Sequence, residues 1–313
     1  MNRWYKLIIS IGCLVVIFFT ASLKDVKGFL QATDLQIFFA GVGIFILAIF
    51  VFCAGWGLLV RGYGLRQGLA SLLSLAFLGA FLNILVPDAL FGDRLRGYAL
   101  GSRTGDLVRS WAATMLERFV SLISIFGFTL LLMGFGGTLL NGISVQLPIL
   151  LLGIMFIGIP VVFFIFLFEV KKWLGRDWFT EIMLCSVLLP NRRKIFFESL
   201  LYGPMIIFIE GMGIWIISIS MGIDVPNLVY FILAGLLYLL RLFPVSYALF
   251  GIQDLIFVFT MPYMGLSIAQ SFAFSIMIHV ARILSTFPGL FFMKVMSEKL
   301  VRPSQNQVGE PEM

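Results

Sequence analysis

Residues 83–118 read NILVPDALFGDRLRGYALGSRTGDLVRSWAATMLER, and this run decides how the rest of the chain is read. It carries Asp93, Arg94, Arg96, Arg103, Asp106, Arg109, Glu117 and Arg118 inside a sequence that is otherwise mostly apolar. A charge at the centre of a membrane helix costs about 2.5–3.5 kcal/mol on insertion scales, so charges kept there usually face a bundle interior or a wet cavity. Two readings of the run stand. In one, its arginines line a polar path whose backbone is shaped by Asn83, Pro87 and Gly92. In the other, they sit in a cytoplasmic loop and obey the positive-inside rule.

Composition fixes the class around this run. Of 313 residues, 60% are hydrophobic and 12% charged. Soluble domains carry roughly 25% charged residues, so this is an integral membrane protein. Thirty-four Phe and thirty-one Gly suit closely packed membrane helices. The net charge of +6 bears on topology and anionic lipid rather than nucleic acid. One His and three scattered cysteines, Cys13, Cys53 and Cys185, give no metal spacing and no disulfide framework, and no cofactor site is readable.

Working outward, residues 1–6 carry Arg3 and Lys6 ahead of the apolar run 7–20. No small-x-small cleavage site follows, so this reads as an uncleaved first span with a cytoplasmic N-terminus. Residues 35–60 are long enough to cross, and Arg61 and Arg66 mark their inner end. If residues 68–86 also crossed, the arginines of the central run would lie outside, and so would the basic loop 169–194. A re-entrant hairpin turning near Pro87 and Gly92 keeps both inside. It also surrounds a cavity with Asn83, Asp93, Arg94 and Arg96, the setting in which broken backbone at membrane depth is tolerated. Residues 147–168 form a further span. Trp173, Trp178 and Phe179 beside Lys171, Lys172 and Arg176 read as an interfacial amphipathic segment.

In the second half, residues 196–223 carry Glu210 near their middle, 228–243 end in Arg241 and Pro244, and 266–293 carry His279 and Arg282. The four residues ALFG at 89–92, after Pro87 and before Asp93, recur at 248–251, after Pro244 and before Asp254. Paired broken segments in corresponding halves point to a transporter site at a repeat interface. The expected architecture is an all-α polytopic membrane protein of six to eight transmembrane helices with one or two re-entrant broken segments in an inverted repeat. One integral domain covers 1–293. It comprises a first half of about 1–168, a cytoplasmic amphipathic segment 169–195 and a second half 196–293. A polar tail follows at 294–313.

At these residues the chain resembles the lysylphosphatidylglycerol synthase transmembrane-region family, a flippase-like module. Asn83, Pro87, Gly92, Asp93 and Arg96 match its first motif, and Glu117–Arg118 its acidic–arginine pair. Pro244, Gly251 and Asp254 match its second motif more loosely, with Asp254 where Glu is usual. The resemblance implies a lipid-translocating or lipid-handling protein of the bacterial cytoplasmic membrane, without the synthases' soluble aminoacyl-transfer domain.

The residues supply a mechanism for such a role. Arginine binds phosphate bidentately and keeps its charge when desolvated. Arg96, Arg118 and then Arg94 are the expected contacts to a headgroup phosphate, with Asp93 and Glu117 holding them when the site is empty. Pro244 and Gly251 shape the second broken segment. Glu210, Asp254, His279 and Arg282 are candidates for a proton relay. Blander readings remain beside these: Glu117–Arg118 as an inter-helix pair, Glu210 as a protonated bundle residue, and His279 with Arg282 at an interface. The function expected is translocation or handling of an anionic phosphate-headgroup lipid or polyprenyl-phosphate-linked substrate. The alternative is a membrane subunit or scaffold for a lipid-modifying enzyme or glycosyltransferase. No nucleophile, base or metal cluster argues for catalysis by this chain itself.

Overall fold

The computed structural model describes residues 12–13, 15, 17, 22–86, 91–139, 192–241 and 251–293. The first span, the 147–168 span, the interfacial segment, the polar tail, Pro87, Pro244 and the ALFG repeat (apart from Phe91–Gly92 and Gly251) lie outside these residues. Every described element is helical. In chain order they are α1 (Leu23–Gln31), α2 (Leu35–Gly62), α3 (Leu69–Leu85), α4 (Phe91–Thr104), α5 (Leu107–Leu139) and α6 (Arg192–Leu200). Then come α7 (Tyr202–Ser220), α8 (Asn227–Arg241), α9 (Ile252–Thr260), a 3-10 turn (Met261–Met264) and α10 (Ile268–Thr286). Among the described residues, four stretches are long and apolar enough to cross a membrane: Leu35–Gly62, Leu107–Gly134, Lys194–Ser220 and Ile268–Met293.

Local chemistry sets the helix ends. The Asp34 carboxylate accepts from the amides of Gln36 (2.8 Å) and Ile37 (3.2 Å), capping α2. Twenty-eight residues at 1.5 Å each then extend about 42 Å, more than a hydrocarbon core of about 30 Å. α3 stops at Val86, which is extended (φ −97°, ψ 131°), as a residue before proline prefers. α4 ends where Gly105 takes φ +75° and its amide donates to the Gly101 carbonyl. Asp106 then starts α5 by accepting from the Arg109 amide at 2.9 Å. Ser267 and Gln270 close a reciprocal capping box on α10.

Two long helices, α2 and α5, tie the molecule together, because each contributes to two separate apolar cores. The first core takes Cys53, Trp56, Leu59 and Val60 of α2, Leu72, Leu75 and Ala76 of α3, Ala99 and Leu100 of α4, and Trp111–Ala113 of α5. The second takes Phe38, Val42 and Phe45 from the other end of α2, Ile125 and Met133 from the far part of α5, and apolar faces of α7, α8, α9 and α10. α2 and α5 therefore run antiparallel, and the middle of each lies between the cores. Close backbone approach makes this packing possible. A Cβ at Gly41 would lie 2.8 Å from Ile217 and 3.4 Å from the Gly213 carbonyl oxygen, where α2 crosses α7.

α3 and α4 fold back on one another. The Gly92 amide donates to Asn83 Oδ1 at 2.8 Å near the turn, and Arg103 Nη1 donates to Ser71 Oγ at 2.7 Å at the open end. Between them, a Cβ on Gly92 would overlap the Gly79 carbonyl, and one on Gly79 would lie 2.9 Å from the Arg96 side chain. The hairpin thus needs hydrogen at both positions. At 14 residues, α4 is only about 21 Å long.

Gly92→Ala is therefore expected to destabilise the protein by about 1–3 kcal/mol through overpacking against backbone that cannot yield. Gly43→Ala, where nothing lies within 4 Å of the added carbon, is expected to be neutral. Thermal unfolding of the detergent-solubilised variants checks the difference.

Candidate functional site

Polar groups gather at mid-length of the long helices, between the two apolar cores. They line a cavity of about 200 Å³ bordered by Asn83, Asp93, Arg96, Arg118, Glu210, Tyr238, Arg241, Gln253, His279 and Arg282, with Phe45, Phe52 and other apolar side chains. Three charge clusters make up its polar wall.

The first cluster joins α4 to α5. Asp93 is buried, and its carboxylate is shared: Arg96 Nη2 approaches Oδ1 at 2.5 Å, and Arg118 Nη2 donates to Oδ2. Arg96 Nη2 also lies 3.5 Å from Glu117 Oε2, and Ser121 Oγ donates to Glu117 Oε1 at 2.7 Å. The helix periods explain the arrangement. Asp93 and Arg96 are three apart on α4, and Glu117 and Ser121 four apart on α5, so each pair shares a face. The Arg96 guanidinium is held between the Phe52 ring (4.6 Å) and the Trp56 ring (4.8 Å) of α2, leaving its side chain 2% exposed. Two carboxylates face two guanidiniums, and the cluster is balanced.

The second cluster joins α7, α8 and α10. Arg241 grips Glu210 with both fork nitrogens, Nη1 to Oε1 at 3.1 Å and Nη2 to Oε2 at 2.6 Å. Arg282 Nη2 approaches the same Oε2 at 3.3 Å. Aromatic faces support both arginines, Tyr238 beneath Arg241 (5.3 Å) and Phe45 beneath Arg282 (5.2 Å). Tyr238 itself lies within electrostatic reach of Glu117, Arg118, Glu210 and Arg241, so α8 bridges the first two clusters.

The third cluster sits at the start of α9. Asp254 Oδ2 accepts from the Gly251 amide at 2.9 Å, and Oδ1 accepts from Ser275 Oγ at 2.6 Å. His279 Nε2 lies 3.2 Å from the same Oδ1. Gly251 takes φ +89°, a conformation that favours glycine. Gln253 points its amide nitrogen at Ser275 Oγ (3.4 Å) and leaves Oε1 buried without a hydrogen-bond partner.

Of the side chains singled out from sequence, Asp93, Arg96, Glu117 and Arg118 meet in one cluster, Glu210 and Arg282 in another, and Asp254 and His279 in the third. Arg94 is half-buried on α4 but does not line the cavity. Asn83 lines it and caps the start of α4. Sequence reading missed Arg241, taken there as a positive end to a span. It also missed Tyr238, Gln253, Ser121, Ser275 and the Phe52–Trp56 clamp. Tyr238 and Arg241 are three apart and on one face, which was the available signal. Among the described residues, no three His, Cys, Asp or Glu side chains converge as metal ligands. The arrangement can hold anions or exchange protons within a wall of arginines and acids.

Compared with known families, residues 3–289 match the one described as the lysylphosphatidylglycerol synthase TM region. Among curated proteins, none matches the chain.

Asp93 is shared by two arginines and buried, so neutralising it is costly. Asp93→Asn is expected to destabilise the protein by about 3–5 kcal/mol, since it strands buried charge. Asp106→Asn removes the partner of Arg109, whose side chain is 56% exposed, and is expected to cost less than about 1 kcal/mol. Melting of both variants in detergent measures the contrast.

Proposed function

The chain belongs to the lysylphosphatidylglycerol synthase transmembrane-region family, a lipid-related family of multi-pass membrane proteins, and from that membership we propose that it moves an anionic lipid headgroup through the cavity between its two apolar cores. The observation that carries this reading is that four arginines, Arg96, Arg118, Arg241 and Arg282, line one cavity, with Arg118 and Arg282 well inside helices apolar enough to cross a membrane. Charge at that depth is costly, and the ligand that best repays it is an anion that brings its own apolar tails. The phosphate of a phospholipid, or of a polyprenyl-phosphate-linked substrate, answers that description. Its tails stay in hydrocarbon while the headgroup passes among the arginines.

In this reading Arg118 and Arg96 meet the headgroup in the first half, and Asp93 and Glu117 hold them between turnovers. Arg118 is the more accessible of the two, with a side chain 13% exposed against 2% for Arg96. Glu210, Asp254 and His279 carry any proton that moves with the cargo, and Arg282 holds Glu210 from the side of α10. α3 and α4 act as a re-entrant hairpin entering from the side of Arg61 and Arg103. An α4 of about 21 Å, too short to cross, supports this. So do the four charges among its 14 residues.

In liposomes of purified protein, headgroup-labelled phosphatidylglycerol is expected to cross in a protein-dependent way. Arg118→Gln should slow crossing by at least about tenfold, the scale of a lost charge-assisted bond, and Arg109→Gln should leave it unchanged. No crossing of any anionic phospholipid or polyprenyl phosphate, with or without a proton gradient, would sink the transport reading. For the hairpin, Leu85→Cys is expected to resist a membrane-impermeant maleimide applied to the face opposite Arg61. Ready labelling from that face would mean that α3 crosses completely.

A further inference from the structure

The cavity's charge is unevenly distributed. The Asp93 cluster sets two carboxylates against two guanidiniums, and the Asp254 cluster pairs an acid with an imidazole. The cluster of Arg241 and Arg282 sets two guanidiniums against Glu210 alone. Among the described residues it is therefore the one charge cluster at the cavity with a full positive charge in excess, since Glu117, just behind the wall, completes the balance at Arg96. Orphaned donors do not separate the clusters, because Arg96 Nη1, Arg118 Nε, Arg241 Nε and Arg282 Nε are each buried without a hydrogen-bond partner. The charge balance does separate them, and so does contact geometry. Arg282 meets Glu210 through Nη2 alone, at 3.3 Å, on an oxygen that Arg241 already holds at 2.6 Å. Its fork is thus mostly unspent. The Arg241 side chain is the most exposed of the four at 31%, against 13% for Arg118, 12% for Arg282 and 2% for Arg96.

We propose that Arg241 and Arg282, sharing the single carboxylate of Glu210, form the anion-binding end of the cavity and take the singly charged phosphodiester of a lipid headgroup. The proposal rests on the reading that this cavity receives a lipid, and it moves the anchoring contact from the first half to the second. A singly charged phosphodiester restores neutrality at this cluster. At the Asp93 cluster the same anion would have to displace a carboxylate from an arginine before gaining a bond. Glu210 is then a competitor of the ligand. It neutralises one arginine in the empty cavity and is pushed aside, or shares its arginines, when the phosphodiester enters. Phe45 and Tyr238 keep both guanidinium planes in place throughout, so the site is formed before the ligand arrives.

Equilibrium binding tests this apart from transport. The full chain in detergent is titrated with dihexanoyl phosphatidylglycerol, dihexanoyl phosphatidylcholine and inorganic phosphate. Arg241→Gln and Arg282→Gln should each weaken phosphatidylglycerol binding by about tenfold to 100-fold, and Arg118→Gln by less than about threefold. Glu210→Gln, which removes the competing carboxylate, should bind at least as tightly as the native protein and gain more thermal stability from the ligand. Phosphatidylcholine, whose ammonium offsets the same phosphodiester, should bind more weakly. Where a glutamine variant does not give a monodisperse protein, Arg241→Lys or Arg282→Lys keeps the charge, loses the fork and should still weaken binding measurably.

Loss of binding in Arg118→Gln with little change in the Arg241 and Arg282 variants would overturn the proposal. Loss of binding in Glu210→Gln would do the same. Inorganic phosphate binding as tightly as the lipid would overturn the assignment to a headgroup. Absence of translocation with this binding pattern intact sinks the transport reading and supports the site. Translocation that survives in the Arg241 and Arg282 variants sinks the site and leaves the transport reading standing.

Discussion

Charge compensation at Asp93 is the constraint on which the rest of the structure depends. One buried carboxylate serves two arginines from different helices, Arg96 on α4 and Arg118 on α5. A lone ion there would cost several kcal/mol in desolvation, so α4 and α5 must meet at this point. Their meeting in turn requires glycines. Gly97 lies against Trp111 and Gly101 against Leu107, with no room for a larger side chain at Gly101. Gly79 clears the path for the Arg96 stem, and Phe52 and Trp56 close over its head. The polar centre and the small residues around it are one solution to one problem.

The same logic distinguishes the two halves of the cavity. Around Arg96 the protein satisfies its own charges and fills the remaining space with aromatic rings. Around Glu210 the compensation is partial and the arginines are better exposed. The molecule thus has a charge-balanced joint and a net positive one side by side, bridged by Tyr238.

Much of this was legible in the sequence. In the run 83–118 a break near Pro87 and Gly92 was readable from those two residues, whereas the short charged helix α4 that follows it was not. The apolar runs gave the long helices, and the Asp93–Arg96 and Glu117–Arg118 spacings marked a cluster. What the sequence did not show was pairing across distance. Nothing in residue order says that Glu210 meets Arg241 and Arg282, 31 and 72 residues further on. Arg241 sits at the end of an apolar run, where an arginine ordinarily marks a membrane face, and only packing turns it toward the cavity. The Phe52–Trp56 clamp was hidden for a similar reason, since aromatic residues in an apolar helix look alike until a cation is placed between them.

The sharing of α2 and α5 by two cores has a mechanical consequence. Both helices act as beams that span the whole described fold, and neither contains a proline to serve as a hinge. A rocking motion of one half against the other would have to bend both beams at the level of the charges. The two cores are thus carried on one frame, with the charges set where its beams pass from one core to the other.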